Sequence, residues 1–274
     1  MSQTELTPVQ GLMEFLKNSP SAFHAVENLR QMLLGAGFTE LPESRRWELK
    51  PGGEYFTTRN GSSILAFRVG TELSEPAFTL TASHSDSPCF KIKENAELRV
   101  REKYVQLNTE GYGGMICSTW LDRPLGVAGR VLVRTKTEAG ERYETRLLDF
   151  NRDLVLIPNL AIHMNRKVND GFSFNKQIDM LPLFGSGKLE KGTFKAMVAG
   201  ELGVAVEDVL GSDLYLYNRM APTVWGAENE YVSAGRLDDL ECAWGTLRGF
   251  LHGRHEKTVQ VWCCFDNEEV GSGT

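Results

Sequence analysis

TVQVWCCF, residues 258–265, runs without a break into Asp266, Asn267, Glu268 and Glu269. An apolar stretch of that length, bounded by polar turns, has the pattern of a strand buried in a sheet. Two adjacent glutamates directly behind it place carboxylates at the sheet's edge, where desolvation is costly unless a cation is near. Two other segments end in the same way. The run Ala77 to Ser83 leads straight into His84-Ser85-Asp86, and Arg236-Leu237-Asp238-Asp239 opens an amphipathic helix carrying Leu240, Ala243, Trp244, Leu247, Phe250 and Leu251. Singly these are weak signals: an HxD arises wherever a surface histidine stands beside a turn aspartate, and an acidic pair at a helix start offsets the dipole. Together they put acid-rich clusters where an α/β sheet keeps its ligands, at strand ends and in the loops that follow.

Working outward, the first 40 or so residues read as two helices. Thr7-Pro8-Val9-Gln10 offers an N-cap, a proline at the first helical position and a glutamine able to close a capping box. A second helix follows Ser21, with Ala25, Val26, Leu29, Met32 and Leu33 at helical spacing and Gly35 and Gly37 at its end. Pro42 to Gly61 reads as loop, broken by Pro51-Gly52-Gly53, and Ser63 to Val69 as a strand. Between about 95 and 230 the texture changes to short strand candidates (Glu97–Val100, Arg130–Thr135, Arg142–Leu148, Asp213–Tyr217) with one helix near Lys195 to Leu202. The expected organisation is a catalytic domain in two parts, 1–94 and 231–274, with a β-rich domain at 95–230 inserted for dimerisation or assembly.

The chain has 274 residues, 41% hydrophobic and 24% charged, with a net charge of −6. That length exceeds the ~250 residues at which single cores stop growing. The acidic balance argues against a nucleic-acid partner. No apolar run reaches the ~18 residues of a membrane span, and MSQTELTPVQ lacks the basic and apolar blocks of a secretory leader. Five cysteines, an odd number with two adjacent, give no disulfide framework and no CxxC zinc site. Buried, reduced thiols in a cytoplasmic protein are expected.

A two-metal hydrolase needs a bridging carboxylate, terminal His and carboxylate ligands, and a free glutamate as base. The clusters above contain those residue types. TASHSDSPCFKIK (81–93), YGGMICSTWLDRPLGVAGRV, IPNLAIHMNR, AGRLDDL and CFDNEEVGSGT, in that order, resemble successive blocks of the aspartyl aminopeptidase family, zinc enzymes that include yeast vacuolar aminopeptidase I. The resemblance implies a three-layer α/β/α two-metal exopeptidase domain with an inserted β-rich domain. It implies two zinc ions per complete site, with Mn or Co as substitutes, a peptide substrate and a homo-oligomer at full length. His84 would be a terminal ligand of one zinc, supported by Asp86. Asp238 would bridge both ions, Glu269 would bind the second, and Glu268 would be the general base. His163 would reach towards a catalytic site, that of a neighbouring subunit, and hold substrate. Asp239 stands where relatives usually carry Asn.

Family members continue well past the EEVGS block, into a further Asp ligand, a final His ligand and most residues that read the substrate side chain. On that reading this chain is truncated, each zinc keeps two protein ligands, and sheet edges are exposed. Within the family, acidic (Asp or Glu) first residues are the expected preference and neutral, Leu-type residues the alternative. A catalytically inactive assembly partner is the competing reading from another class. His24, His252 and His255 read as structural, Trp120 as core, and Gly185-Ser186-Gly187-Lys188 as a turn lacking the first Gly and the Ser/Thr of a phosphate loop.

Overall fold

The computed structural model describes residues 6–73, 77–138 and 140–271. The opening MSQTE and the closing SGT of the last sequence block lie outside them. The chain forms two compact units, Met1–Ser87 with Ala221–Thr274, and Pro88–Met220.

The first unit begins with α1 (Pro8–Lys17) and α2 (Ala22–Gly35). Thr7 caps α1: its hydroxyl accepts the Gln10 N–H while the Gln10 side chain accepts the Thr7 N–H, so two otherwise orphaned donors are satisfied reciprocally. At the head of α2 the Ser21 hydroxyl meets the His24 ring at 2.8 Å, a local contact in keeping with a structural histidine. Strands β1 (Thr39–Glu40), β2 (Glu54–Arg59), β3 (Ser63–Arg68) and β4 (Ala77–His84) follow. β2 lies inside the stretch expected to be loop. Its alternation (Tyr55 and Thr57 on one face, Phe56 on the other) is only six residues long and sits between Pro51-Gly52-Gly53 and Asn60-Gly61, so breakers dominate the local signal.

The second unit contains β5 (Cys89–Val100), β6 (Tyr104–Tyr112), β7 (Leu125–Thr137), β8 (Gly140–Asp149), β9 (Leu183–Ser186), α3 (Thr193–Leu202) and β10 (Val209–Asn218). Its strands form a six-stranded sheet in the order β8-β7-β10-β5-β6-β9, paired antiparallel throughout. Phe90, Leu107, Leu125, Val127, Leu148 and Ile157 fill its core, and Phe194, Val198 and Ala199 of α3 pack there too. Glu97 on β5 accepts the N–H groups of Gly192 and Phe194, which places a carboxylate at the positive end of α3. Trp120 packs edge-to-face on Phe90, ring centres 5.2 Å apart. Gly187 passes so close to Glu102 that a Cβ would lie 2.0 Å from its carbonyl oxygen, so the GSGK run is a tight backbone crossing.

The chain then returns to the first unit through the hairpin β11 (Thr223–Trp225) and β12 (Tyr231–Ser233), α4 (Leu237–His252) and β13 (Thr258–Phe265). The five-stranded sheet has the order β1-β2-β3-β13-β4. α1, α2 and α4 back one face, burying Phe56, Ile64, Trp262 and Cys264 among Leu16, Leu29, Leu240 and Leu247. On the other face Tyr55, Phe67, Val261 and Cys263 pack under Leu41 and Trp47, while Phe78, Leu80 and Phe265 are exposed. The architecture is the expected α/β plan. No helix among the described residues is long and apolar enough to cross a membrane. None of the five cysteines is in a disulfide. Only Cys263 and Cys264 are buried, and Cys242 is exposed because it falls on the outer side of α4. This corrects the expectation that the thiols are buried.

β13 fixes the site. It pairs parallel to β4, with Phe265 opposite His84, and antiparallel to β3. The parallel pairing brings the two acid-bearing strand ends side by side.

Candidate metal centre

His84, the last residue of β4, is half-buried with 13% of its side chain exposed. Its Nδ1 faces Asp86, 3.1 Å from the backbone oxygen and 3.3 Å from Oδ1. Holding one ring nitrogen this way aims the other, Nε2, outward at the remaining acids. Nε2 lies 3.3 Å from Asp238 Oδ1, 3.8 Å from Glu268 Oε2 and 4.0 Å from Asp239 Oδ2. Asp86 itself is 3% exposed, and its two oxygens accept the backbone N–H groups of Glu268 (3.3 Å) and Glu269 (3.1 Å). One buried carboxylate therefore grips both the histidine ring and the turn after β13.

The adjoining loops are stitched together by similar contacts. Ser85 N–H donates to the Phe265 carbonyl and Asp266 N–H to the Ser63 hydroxyl, each at 2.8 Å. The Ser87 hydroxyl donates to the Asp238 carbonyl. The Asp238–Asp239 peptide is cis. Asp239 accepts the His84 backbone N–H at 3.0 Å. The sequence placed Asp239 in the acidic pair at the head of α4 and marked it as a departure from relatives, but assigned it no role. Nothing local to LDD says which of two adjacent aspartates will meet a backbone donor on another strand.

Among the described residues two groups of side chains could hold a metal ion, His84 with Asp238 and Asp239, and His84 with Glu268 and Glu269; within each, the candidate ligand atoms lie within 4.8 Å of one another. Five sequence-singled residues, His84, Asp86, Asp238, Glu268 and Glu269, are thus gathered at one place in the first unit. The sixth, His163, is an exposed turn residue of the second unit.

The electrostatics are those of a site short of positive charge. Among the described residues the ion pairs of Asp238, Asp239 and Glu268 in this cluster run to His84 alone. Burial disfavours the protonated His84 ring, but the carboxylates of Asp239, Asp86 and Glu268 outweigh it and raise its pKa. Burial, reinforced by Asp238, Asp86 and Glu268 and opposed by His84, raises that of Glu269. A hydrogen bond to Asp239, with burial, pushes the Cys242 thiol up to about 11, so in the metal-free protein it stays protonated near neutral pH. One imidazole nitrogen and several carboxylate oxygens match the donor set of zinc, and a divalent cation relieves the repulsion among them. The residues present fit the metal.

A helix-backed mixed sheet with such a cluster where two parallel strands end defines the general class, that of α/β metalloenzyme folds. Comparison gives the particular family: residues 15–274 match the model for aminopeptidase I zinc metalloprotease (M18), and the chain belongs to that family. It is 43% identical over 276 residues to a probable M18 family aminopeptidase 2 of Clostridium acetobutylicum, covering 99% of this chain and 63% of the relative. The chain thus spans less than two thirds of that relative's length. Among solved structures, mApe1 of Chaetomium thermophilum is 32% identical with a TM-score of 0.88, over 97% of this chain and 63% of that one. The mApe1 dodecamer of Saccharomyces cerevisiae shares the fold at 24% identity and a TM-score of 0.82, over 97% of this chain and 62% of that one.

Proposed function

We propose that the protein is a two-zinc aminopeptidase that removes single residues from peptide N-termini, acidic residues by preference. The observation that carries this is the His84-centred cluster, in a chain of the M18 family. The two donor groups have His84 in common and together hold four carboxylates; on the family resemblance, His84, Asp238 and Glu269 would be the ligands, with Asp238 as the carboxylate between two ions. The acidic preference rests on the resemblance of the five sequence blocks to aspartyl aminopeptidases.

Bound zinc supplies Lewis acidity towards water and the peptide carbonyl. The chain's own groups do the rest. Asp86 holds His84 Nδ1, which keeps Nε2 as the metal-facing atom. The Glu268 carboxylate, 62% exposed at the mouth of the cluster, takes a proton from the attacking water and passes it to the leaving amine. We assign His163 to substrate contact at a neighbouring subunit's site, and the β-rich unit to self-association. That unit exposes Leu160, Ile162 and Met164, which flank His163 in sequence, more bare apolar surface than a solvated loop requires.

The test is release of free amino acid from peptides beginning with Asp, Glu or Leu, with and without Zn²⁺ or Mn²⁺. Metal-dependent turnover that vanishes in Glu268→Gln and favours Asp and Glu is expected. Turnover indifferent to metal or to Glu268 would overturn the assignment, and a Leu preference would overturn the specificity.

A further inference from the structure

An open cleft of about 820 Å³ runs beside the cluster, lined at one end by His84, Asp239 and Glu268 and at the other by Arg59 and Glu43. Register fixes its direction. Arg59 pairs with Ser63 across β2 and β3, the next residue Ile64 pairs with Cys264 on β13, and Phe265 pairs with His84 on β4. Arg59, Ser63, Phe265 and His84 therefore stand in one row across four strand ends. Cross-strand neighbours share a face, here the one that α1, α2 and α4 leave bare. Three steps of about 4.8 Å place Arg59 roughly 14 Å from His84.

That span is too long for one side chain. An extended peptide advances about 3.4 Å per residue, so roughly four residues bridge it. Among the described residues Arg59 is the only Arg or Lys lining the cleft. Its side chain is 78% exposed, and Glu43 holds it in a two-oxygen, two-nitrogen pair, Nη2 to Oε1 at 2.7 Å and Nε to Oε1 and Oε2 at 3.0 and 3.3 Å. The pair occupies one edge of the guanidinium. Nη1 lies outside those contacts and keeps donors for another planar anion.

We propose that Arg59 is a specificity-determining residue that receives a carboxylate about three to four residues downstream of the bond cleaved. The carboxylate is either the free C-terminus of a short peptide or an acidic side chain in a longer one. This rests on the aminopeptidase reading, which puts the substrate's N-terminus at the His84 end of the cleft.

The test measures peptide affinity by titration calorimetry with the Zn²⁺-loaded Glu268→Gln chain, in which turnover is blocked. The probes are Asp-Ala-Ala-Ala as free acid and as amide, and Asp-Ala-Ala-Glu-Ala-amide against its Gln counterpart, so that the first residue is constant and of the preferred class. With Arg59 present, at least one acidic probe should bind about fivefold more tightly than its neutral match, the scale of an exposed charged pair. Which probe responds tells whether a C-terminus or a side chain is read. Arg59→Gln should erase the difference while leaving the neutral probes unchanged, and Arg59→Lys should retain part of it. Equal affinity for acid and neutral probes, or a preference that survives Arg59→Gln, would overturn the assignment. If no probe binds, with or without Zn²⁺, the aminopeptidase reading itself fails, an outcome distinct from loss of carboxylate selectivity alone.

Discussion

The Asp86 carboxylate accepts the Glu269 N–H at 3.1 Å while its other oxygen stands 3.3 Å from His84 Nδ1. A residue of the turn after β4 thereby sets the position of the turn after β13. Asp86→Asn keeps the size but loses the charge that orders both partners. Groups that orient ligands typically change metal affinity by about 10- to 100-fold when removed. Zinc affinity of Asp86→Asn, measured against a competing chelator, should fall by about that factor. Unchanged affinity would mean that His84 is oriented by the Asp86 backbone oxygen alone.

A site that holds five carboxyl groups around one imidazole is strained by like charge until a cation enters. Anything that binds the folded state and not the unfolded one stabilises it by mass action, about 2.7 kcal/mol at 100 times the dissociation constant. Zn²⁺ should therefore raise the melting temperature of the wild-type chain, and His84→Ala should abolish the rise. An equal rise in both proteins would place the ion elsewhere.

The legible parts of the sequence were those where local pattern and tertiary role coincide. The capping box at Thr7 and Gln10, the strands at Ser63–Arg68, Ala77–His84 and Thr258–Phe265, and the helix after Asp238 were all visible, because each is an uninterrupted apolar or amphipathic run with its own boundary residues. Strands β2 and β6 were not. Glu54–Arg59 is short and framed by glycines. Tyr104–Tyr112 alternates Val105, Leu107 and Thr109, all buried, with polar residues and two turn formers at its end, so its period is masked. In the cluster, the types and order of ligands were readable, but Asp239's contact with the His84 N–H joins residues 155 apart in sequence, and only the folded register creates it.

Arg68 is 7% exposed and ends the sheet against α4. It donates to the Phe250 carbonyl, to Gly253 O at 2.7 Å and to Leu251 O at 3.1 Å, and pairs with Glu54 at 2.5 Å. Two last-turn carbonyls of the helix and that of its C-cap, Gly253, thus depend on one guanidinium. Arg68→Met leaves them unpaired and the largely buried Glu54 carboxylate with only the exposed Arg254, 3.4 Å away, a loss on the order of 3 kcal/mol. Urea unfolding of the metal-free chain should show it as a lowered midpoint. A midpoint within experimental error of wild type would mean that water replaces the arginine.

In the second unit, burial works against the charged form of Asp213, but Lys91 at 2.7 Å and Arg130 at 2.8 Å outweigh it and hold its carboxyl below the ordinary 3.8. A carboxylate depressed in the folded state stabilises it above the unfolded pKa, and that stabilisation disappears as pH falls through the folded value. Asp213→Asn should therefore flatten the loss of stability below about pH 4. Identical acid unfolding profiles in wild type and variant would assign that loss to other carboxyls.

Asp239 does two separable things, and one substitution divides them. As an acceptor it takes the His84 N–H at 3.0 Å, and as a charge it heads the groups that hold the His84 pKa up against burial. Asparagine keeps an oxygen for the N–H and drops the charge. Alanine loses both and leaves a part-buried N–H without its partner, a cost of about 1–3 kcal/mol. In the metal-free chain Asp239→Asn should melt no lower than wild type, since like-charge repulsion with Asp238 is relieved, whereas Asp239→Ala should melt lower. The imidazole titration followed by NMR should move down in pH in both variants, because both remove the charge. If the titration stays in place, the field at His84 comes from Asp86 and Glu268, and the Asp239 carboxylate is there for the backbone alone.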